Sequence, residues 1–165
     1  MSDAVIIRAL NGSEEASACA TIMASSEPWK TLGRDFAHTL RTVTNSNSQV
    51  YVATESNEVV GLVIVVMNVP LIRGYINALA VKQEHRNRGI GAKLLKFAED
   101  RIFRDWPNVF LCVTTFNTKA QRFYERMGYH RIGVIEDFII EGAGEILMRK
   151  TIGPTSSFVP KKRET

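Results

Sequence analysis

Two cysteines and five prolines in 165 residues leave little that could staple or interrupt a fold. Two thiols close at most one disulfide, too few to hold a chain of this length. Cys112 also falls inside a run that reads as a strand, where burial is the expected fate. Strong charge imbalance is missing too. A net charge of +4 favours anions but does not by itself argue for nucleic acid. The longest apolar run, Val59 to Met67, is far short of the roughly 20 residues that span a bilayer, so no membrane segment is expected. Met1-Ser2-Asp3-Ala4 lacks a basic stretch followed by an apolar one, so no secretory leader is expected and the setting reads as reducing and cytoplasmic. His38, His85 and His130 are scattered without ligand spacing, so no metal site is expected. No Gly-x-x-x-x-Gly-Lys-Ser/Thr occurs, which excludes a nucleotide P-loop. The dinucleotide fingerprint fails as well: Leu94 stands three after Gly91 where a small residue is needed. Leu111 and Cys112 fall where its acid is expected.

What is present is organised around Leu79-Ala80-Val81-Lys82-Gln83-Glu84-His85-Arg86-Asn87-Arg88-Gly89-Ile90-Gly91-Ala92. An apolar strand, Tyr75 to Val81, leads through a polar loop and two glycines into a helix. Ile90, Leu94, Leu95, Ala98 and Ile102 recur at the spacing of one buried helical face. Lys93, Lys96, Glu99 and Asp100 fall between them and read as a solvated face. The first turn of a helix has backbone N–H groups with no partner inside the helix, and the dipole behind them favours an anion. Gly89 and Gly91 allow close approach to that backbone. Arg86 and Arg88 add positive charge beside it. The stretch therefore reads as a phosphate or pyrophosphate cradle, or else as a glycine-capped turn with arginines in solvent.

In chain order, Val5 to Leu10 reads as a strand and Ser13 to Ser25 as a helix with Ser13 as its N-cap. After Pro28 a second helix runs from about Leu32 to Val43. Between them Glu27 and Trp29 occupy a loop, as a binding surface or with Trp29 plugging the core. Gln49 to Thr54 and Val59 to Val69 are strands about the turn Ser56-Asn57-Glu58. After the central helix, Val109 to Val113 is a short strand. It forms a β-α-β unit with Tyr75 to Val81, so the two should be parallel. Asn117 to Met127 is a short helix ending at Gly128. Tyr129 to Ile140 and Gly144 to Ile152 close the chain as a hairpin. The order β, α, α, β, β, β, α, β, α, β, β describes one α/β domain over residues 1–152. Residues 153–165 read as a mobile basic tail with little to bury.

The cradle block Arg86-Asn87-Arg88-Gly89-Ile90-Gly91 resembles the Gln/Arg-x-x-Gly-x-Gly/Ala signature of the GNAT superfamily of acetyl-CoA-dependent N-acetyltransferases. A second block, Asn117, Ala120, Phe123-Tyr124-Glu125 and Gly128-Tyr129, resembles that superfamily's Asn-x-x-Ala-x-x-Phe-Tyr-Glu-x-x-Gly-Phe segment. The two blocks stand in the family's order and spacing.

The resemblance implies a mixed, mostly antiparallel central sheet with a parallel splayed strand pair and flanking helices. It implies acetyl-CoA as co-substrate, with no metal, and transfer of the acetyl group directly to a primary amine. The pyrophosphate would sit at Arg86, Asn87, Arg88, Gly89, Ile90, Gly91 and Ala92. Backbone groups of Leu79, Ala80 and Val81 would pair with the pantetheine arm, one N–H polarising the acetyl carbonyl. Asn117, with Ala120 beside it, would bond the same arm, and Asn117 is equally a plain helix N-cap. Tyr124 would be the general acid to the departing thiolate. Glu27 and Trp29 would border the acceptor. Tyr75 and Cys112 occupy the positions where relatives carry a glutamate base, and neither is a carboxylate. Deprotonation through ordered water is the expectation, with Glu27 or Glu145 as candidates, each also readable as a solvated or cap residue. The resemblance allows a homodimer through the last strands. Two other classes compete: an acyl-CoA-binding sensor without turnover, and nucleic-acid binding through Lys82, Arg86, Arg88, Lys93 and the Lys161-Lys162-Arg163 tail. The last lacks a reading motif or interleaved aromatics.

Overall fold

The computed structural model describes residues 4–161. The elements in order are strand β1 (Ile6–Ala9), helix α1 (Gly12–Ala24), helix α2 (Phe36–Val43), strands β2 (Gln49–Glu55), β3 (Glu58–Val66) and β4 (Tyr75–Val81), helix α3 (Ile90–Ile102), strand β5 (Asn108–Thr114), helix α4 (Thr118–Arg126), and strands β6 (His130–Ile140) and β7 (Ala143–Thr151). The strands form one mixed sheet in the order β1-β2-β3-β4-β5-β7-β6. The α/β reading and its element order hold, and boundaries move by a few residues. Helix α1 starts two residues earlier than the Ser13 cap implied, with Asn11 as N-cap. The second helix starts at Phe36, where the Asp35 carboxylate accepts the His38 amide at 2.8 Å, rather than near Leu32.

The chain divides into two compact units. The first takes in the described residues up to Val65 together with Asn77–Phe97. Its core sets Ala16, Cys19, Ile22 and Met23 of α1 with Val43 of α2 against Val52, Leu62, Ile64, Ala78 and Ala80 of the strands. This is the expected outcome for a strand such as β3, apolar on both alternating sets and buried on both faces. Gly61 is where the unit is tightest: a Cβ there would lie 3.0 Å from the Ala80 carbonyl and 3.0 Å from Leu94.

The second unit takes in Val66–Ile76 and the described residues from Ala98 on. Here β4 and β5 are parallel, paired at Tyr75↔Phe110 and Ile76↔Leu111. Strand β5 pairs antiparallel with β7 along its whole length, from Asn108↔Thr151 to Thr114↔Glu145. Gly74 makes the entry to β4 possible: at φ +81° it lies so close to Asn108 that a Cβ would meet its carbonyl oxygen at 2.7 Å. Glu99 departs from the solvated-face reading. It is buried, and its Oε2 accepts a 2.8 Å bond from Lys150 Nζ on β7. The three-and-four spacing marks which helical positions face the sheet, not whether a neighbouring lysine will bury a carboxylate.

Beyond β7 a short 3-10 turn covers Thr155–Ser157, and the Lys161 amide donates to the Arg104 carbonyl at 2.9 Å. Met1, Ser2 and Asp3, on which the leader reading rested, lie outside the described residues, as do Lys162 and Arg163 of the basic tail. Among the described residues no helix is long and apolar enough to cross a membrane.

Candidate active site

The cradle lies in the first unit. Strand β4 ends at Val81, and the Lys82 amide still reaches β3, donating to the Val60 carbonyl at 2.9 Å. A 3-10 turn, Gln83–His85, follows. Asn87 at φ +61° and Gly89 at φ +79° then turn the chain into α3. Asparagine and glycine are the residues that tolerate this region. The first bond inside the helix runs from the Lys93 amide to the Gly89 carbonyl at 3.1 Å. The amides of Ile90, Gly91 and Ala92 therefore have no acceptor within the helix. They are the anion-seeking groups the sequence points to.

The two arginines are more occupied than the sequence suggests. Arg86 folds back, its Nε donating to the Val81 carbonyl and its Nη2 to Ser26 Oγ, each at 3.0 Å. Arg86 thus ties the end of α1 to the end of β4. Arg88 makes a forked pair with Glu55 at the end of β2, at 2.9 and 2.6 Å. His85 Nε2 lies 3.4 Å from the same carboxylate. Arg88 holds the Glu55 carboxyl below the usual carboxylate range. Its charge is thus already matched, and an anion on the helix amides competes with Glu55 for it. Lys82 is likewise paired with Glu58. Lys82 and Arg88 of the basic-patch reading therefore carry acidic partners. Ser26 and Glu55 were invisible to sequence reasoning. Arg88 and Glu55 are 33 residues apart, and only the β2–β3 hairpin places one near the other.

The loop after α1 carries Glu27 and Trp29. The Trp29 side chain packs against the first unit's core and is only partly exposed. Glu27 is exposed, and its Oε2 accepts the Thr31 amide at 3.2 Å, a local cap.

The second unit holds the other residues. The Asn117 side chain accepts the Ala120 amide at 3.3 Å, so it is the N-cap of α4. Gln121 fixes that helix to the end of β5, donating to the Thr114 and Thr115 carbonyls at 3.0 and 2.9 Å. Tyr124, on the next turn, is buried against the ring edges of Phe123 and Tyr129, at 5.2 and 5.7 Å between centroids. Burial pushes its phenol above the usual range, so it stays protonated throughout the neutral range. That is the state a proton donor requires.

Where parallel pairing ends, β5 continues through Cys112 to Thr114. Tyr75 on β4 and Cys112 on β5 influence one another's ionisation, and burial pushes both up. Glu145 stands directly opposite Thr114. It is 5% exposed, which corrects its reading as a solvated or cap residue. Among the described residues no group of three or more His, Cys, Asp or Glu could hold a metal ion.

Residues 14–129 match the model of the Acetyltransferase (GNAT) family, well over half of the chain. The chain belongs to that family. It is 38% identical over 102 residues to an uncharacterized N-acetyltransferase of Methanocaldococcus jannaschii, covering 61% of this chain and 64% of that one. It is 31% identical over 96 residues to N-alpha-acetyltransferase 30 of Schizosaccharomyces pombe, covering 56% and 64% respectively. The match thus spans just under two thirds of each relative's length. In fold it is similar to a crystal structure of aminoglycoside 6'-N-acetyltransferase complexed with coenzyme A. The TM-score is 0.71 at 20% identity, covering 90% of this chain and 98% of that one. Both sequence blocks that carried the GNAT resemblance, Arg86 to Gly91 and Asn117 to Tyr129, lie inside the family match.

Proposed function

We propose that this chain is an acetyl-CoA-dependent N-acetyltransferase that moves the acetyl group directly to a primary amine. The observation that carries the reading is the strand end, left-handed turn and open helix N-terminus at residues 79–92, inside the family match. The amides of Ile90, Gly91 and Ala92 take the pyrophosphate, helped by Gly89 and Asn87 in the turn and by Arg86 and Arg88 once the latter exchanges Glu55 for phosphate. Backbone groups of Leu79, Ala80 and Val81 pair with the pantetheine arm, and one of their N–H groups polarises the thioester carbonyl. Asn117 keeps its cap and offers its amide N–H to the same arm, beside Ala120. Tyr124 protonates the leaving thiolate.

Relatives bearing the names aminoglycoside 6'-N-acetyltransferase and N-alpha-acetyltransferase act on amines. A primary amine is accordingly the acceptor class for this chain, with Glu27 and Trp29 bordering it. Titration calorimetry with acetyl-CoA, with an ADP fragment as control, tests the cradle. Free-thiol release with a panel of polyamine, aminoglycoside and free-N-terminal peptide acceptors tests the chemistry. Micromolar binding retained in part by the ADP fragment, with turnover of one amine, is expected. Binding without turnover of any amine would return the chain to the acyl-CoA-sensing class. No binding at millimolar acetyl-CoA would overturn both.

A further inference from the structure

A carboxylate buried in a protein is ordinarily paired with a cation or held by hydrogen bonds, because an isolated charge is costly to desolvate. Glu99 obeys this rule through Lys150. Glu145 does not. It is buried on β7, and among the described residues neither a cation nor a hydrogen-bond donor meets its carboxylate. Thr114, its partner on β5, is buried too, and its Oγ1 also has no hydrogen-bond partner. Residues opposite one another in an antiparallel pair project to the same face. A buried carboxylate that no cation meets and a buried hydroxyl without a hydrogen bond therefore share one position of the sheet, two residues past Cys112 along β5.

The surroundings are apolar or acidic. Ile135 lies opposite Glu145 on β6. Glu136, the next residue, has its Oε2 3.2 Å from where a Gly144 Cβ would stand. Tyr75 and Cys112 face the carboxylate as neutral groups. A site with an unpaired carboxylate, an unpaired hydroxyl, a phenol and a thiol, and no positive charge of its own, is built to receive a cation that also donates hydrogen bonds.

We propose that Glu145 is the proton acceptor for the amine, and that Thr114 Oγ1 orients the incoming ammonium. This rests on the acetyl-transfer reading above and supplies the base that Tyr75 and Cys112 cannot. The ammonium gives one proton to Glu145, leaving a neutral amine. Its nitrogen lone pair forms the C–N bond to the acetyl carbon, and the C–S bond breaks with its electron pair leaving on sulfur. Tyr124 protonates that thiolate. The nitrogen sheds its second surplus proton, Glu145 releases the first, one of the two restores the phenol and the other passes to solvent. Burial without a counter-ion raises the Glu145 carboxyl from its ordinary 4.5 to about 7, which suits a group that must accept a proton near neutrality and release it again.

The test is Glu145→Gln, which keeps shape and removes the charge. Carbon-13 NMR titration of the glutamate carboxyls, the Glu145 signal assigned by its loss in the variant, is expected to show one group titrating near pH 7. With whichever panel amine is turned over, the variant is expected to lose roughly 10²-fold in kcat, in keeping with general-base catalysis, together with the ascending limb of the pH profile. Its affinity for acetyl-CoA is expected to be unchanged by calorimetry. A Glu145 carboxyl titrating below pH 5 would overturn the proposal. So would a variant that keeps the wild-type limb and rate, or acetyl-CoA binding with no amine acetylated. Failure of acetyl-CoA to bind wild-type protein would instead sink the parent reading, and the two failures are therefore separable.

Discussion

Tyr124 and Arg88 show how differently two side chains in one family signature are held. Tyr124 is surrounded by aromatic edges, and no hydrogen bond among the described residues fixes its hydroxyl. Removing that oxygen therefore leaves packing intact. Tyr124→Phe is expected to keep acetyl-CoA affinity and melting temperature while lowering kcat by roughly 10²-fold, the usual scale for a lost general acid. Equal kcat for the two proteins would remove Tyr124 from the acid role. Arg88 is held by a forked bond to Glu55, which any phosphate must displace. Glu55→Gln is accordingly expected to tighten coenzyme A binding several-fold, and Arg88→Glu to weaken it about tenfold or more. Calorimetry at fixed ionic strength reads both. A looser complex in Glu55→Gln would mean that the pair holds Arg88 in place for the ligand rather than competing with it.

At the scale of elements, α3 and β7 are joined by an ion pair with one partner fully enclosed. Glu99 is 2% exposed, and Lys150 is the cation that offsets its charge among the described residues. Deleting one partner of such a pair costs more than the pair is worth, since a charge is left in the core. Lys150→Ala is expected to lower stability by about 3 kcal/mol, seen as a fall in the urea midpoint. The double replacement Glu99→Leu with Lys150→Met is expected to recover most of it. A midpoint for Lys150→Ala within error of wild type would show that the pair does not contribute to stability.

For the whole molecule, the unpaired carboxylate at Glu145 has a thermodynamic signature of its own. Its folded carboxyl titrates above its unfolded one, about 7 against 4.5. Below the lower value both states are protonated and the group costs nothing. As pH rises through that window the unfolded state ionises first, and stability falls until the folded carboxyl ionises as well. Glu145→Gln is therefore expected to match wild type in melting temperature near pH 4.5 and to exceed it at pH 8. An advantage that did not grow with pH would mean that Glu145 is ionised in the fold from ordinary pH upward. A protein that retains such a group against its own stability is in the position expected of a functional site.

The element order, the buried face of α3 and the strand-turn-helix at residues 79–92 could be read from the chain because each rests on short-range physics. Period-two and period-3.6 hydrophobicity set β4 and α3, and Asn87 and Gly89 set the left-handed turn between them. The two motif blocks were legible for the same reason, being contiguous in the chain. The partnerships between side chains came from the fold. Arg88 finds Glu55, Arg86 finds Ser26, and Glu99 finds Lys150. Glu145 ends buried opposite Thr114 with no cation against it among the described residues. Strand register and helix docking over tens of residues choose those neighbours, and whether a carboxylate is solvated, paired or left alone depends on neighbours and not on its own place in the pattern.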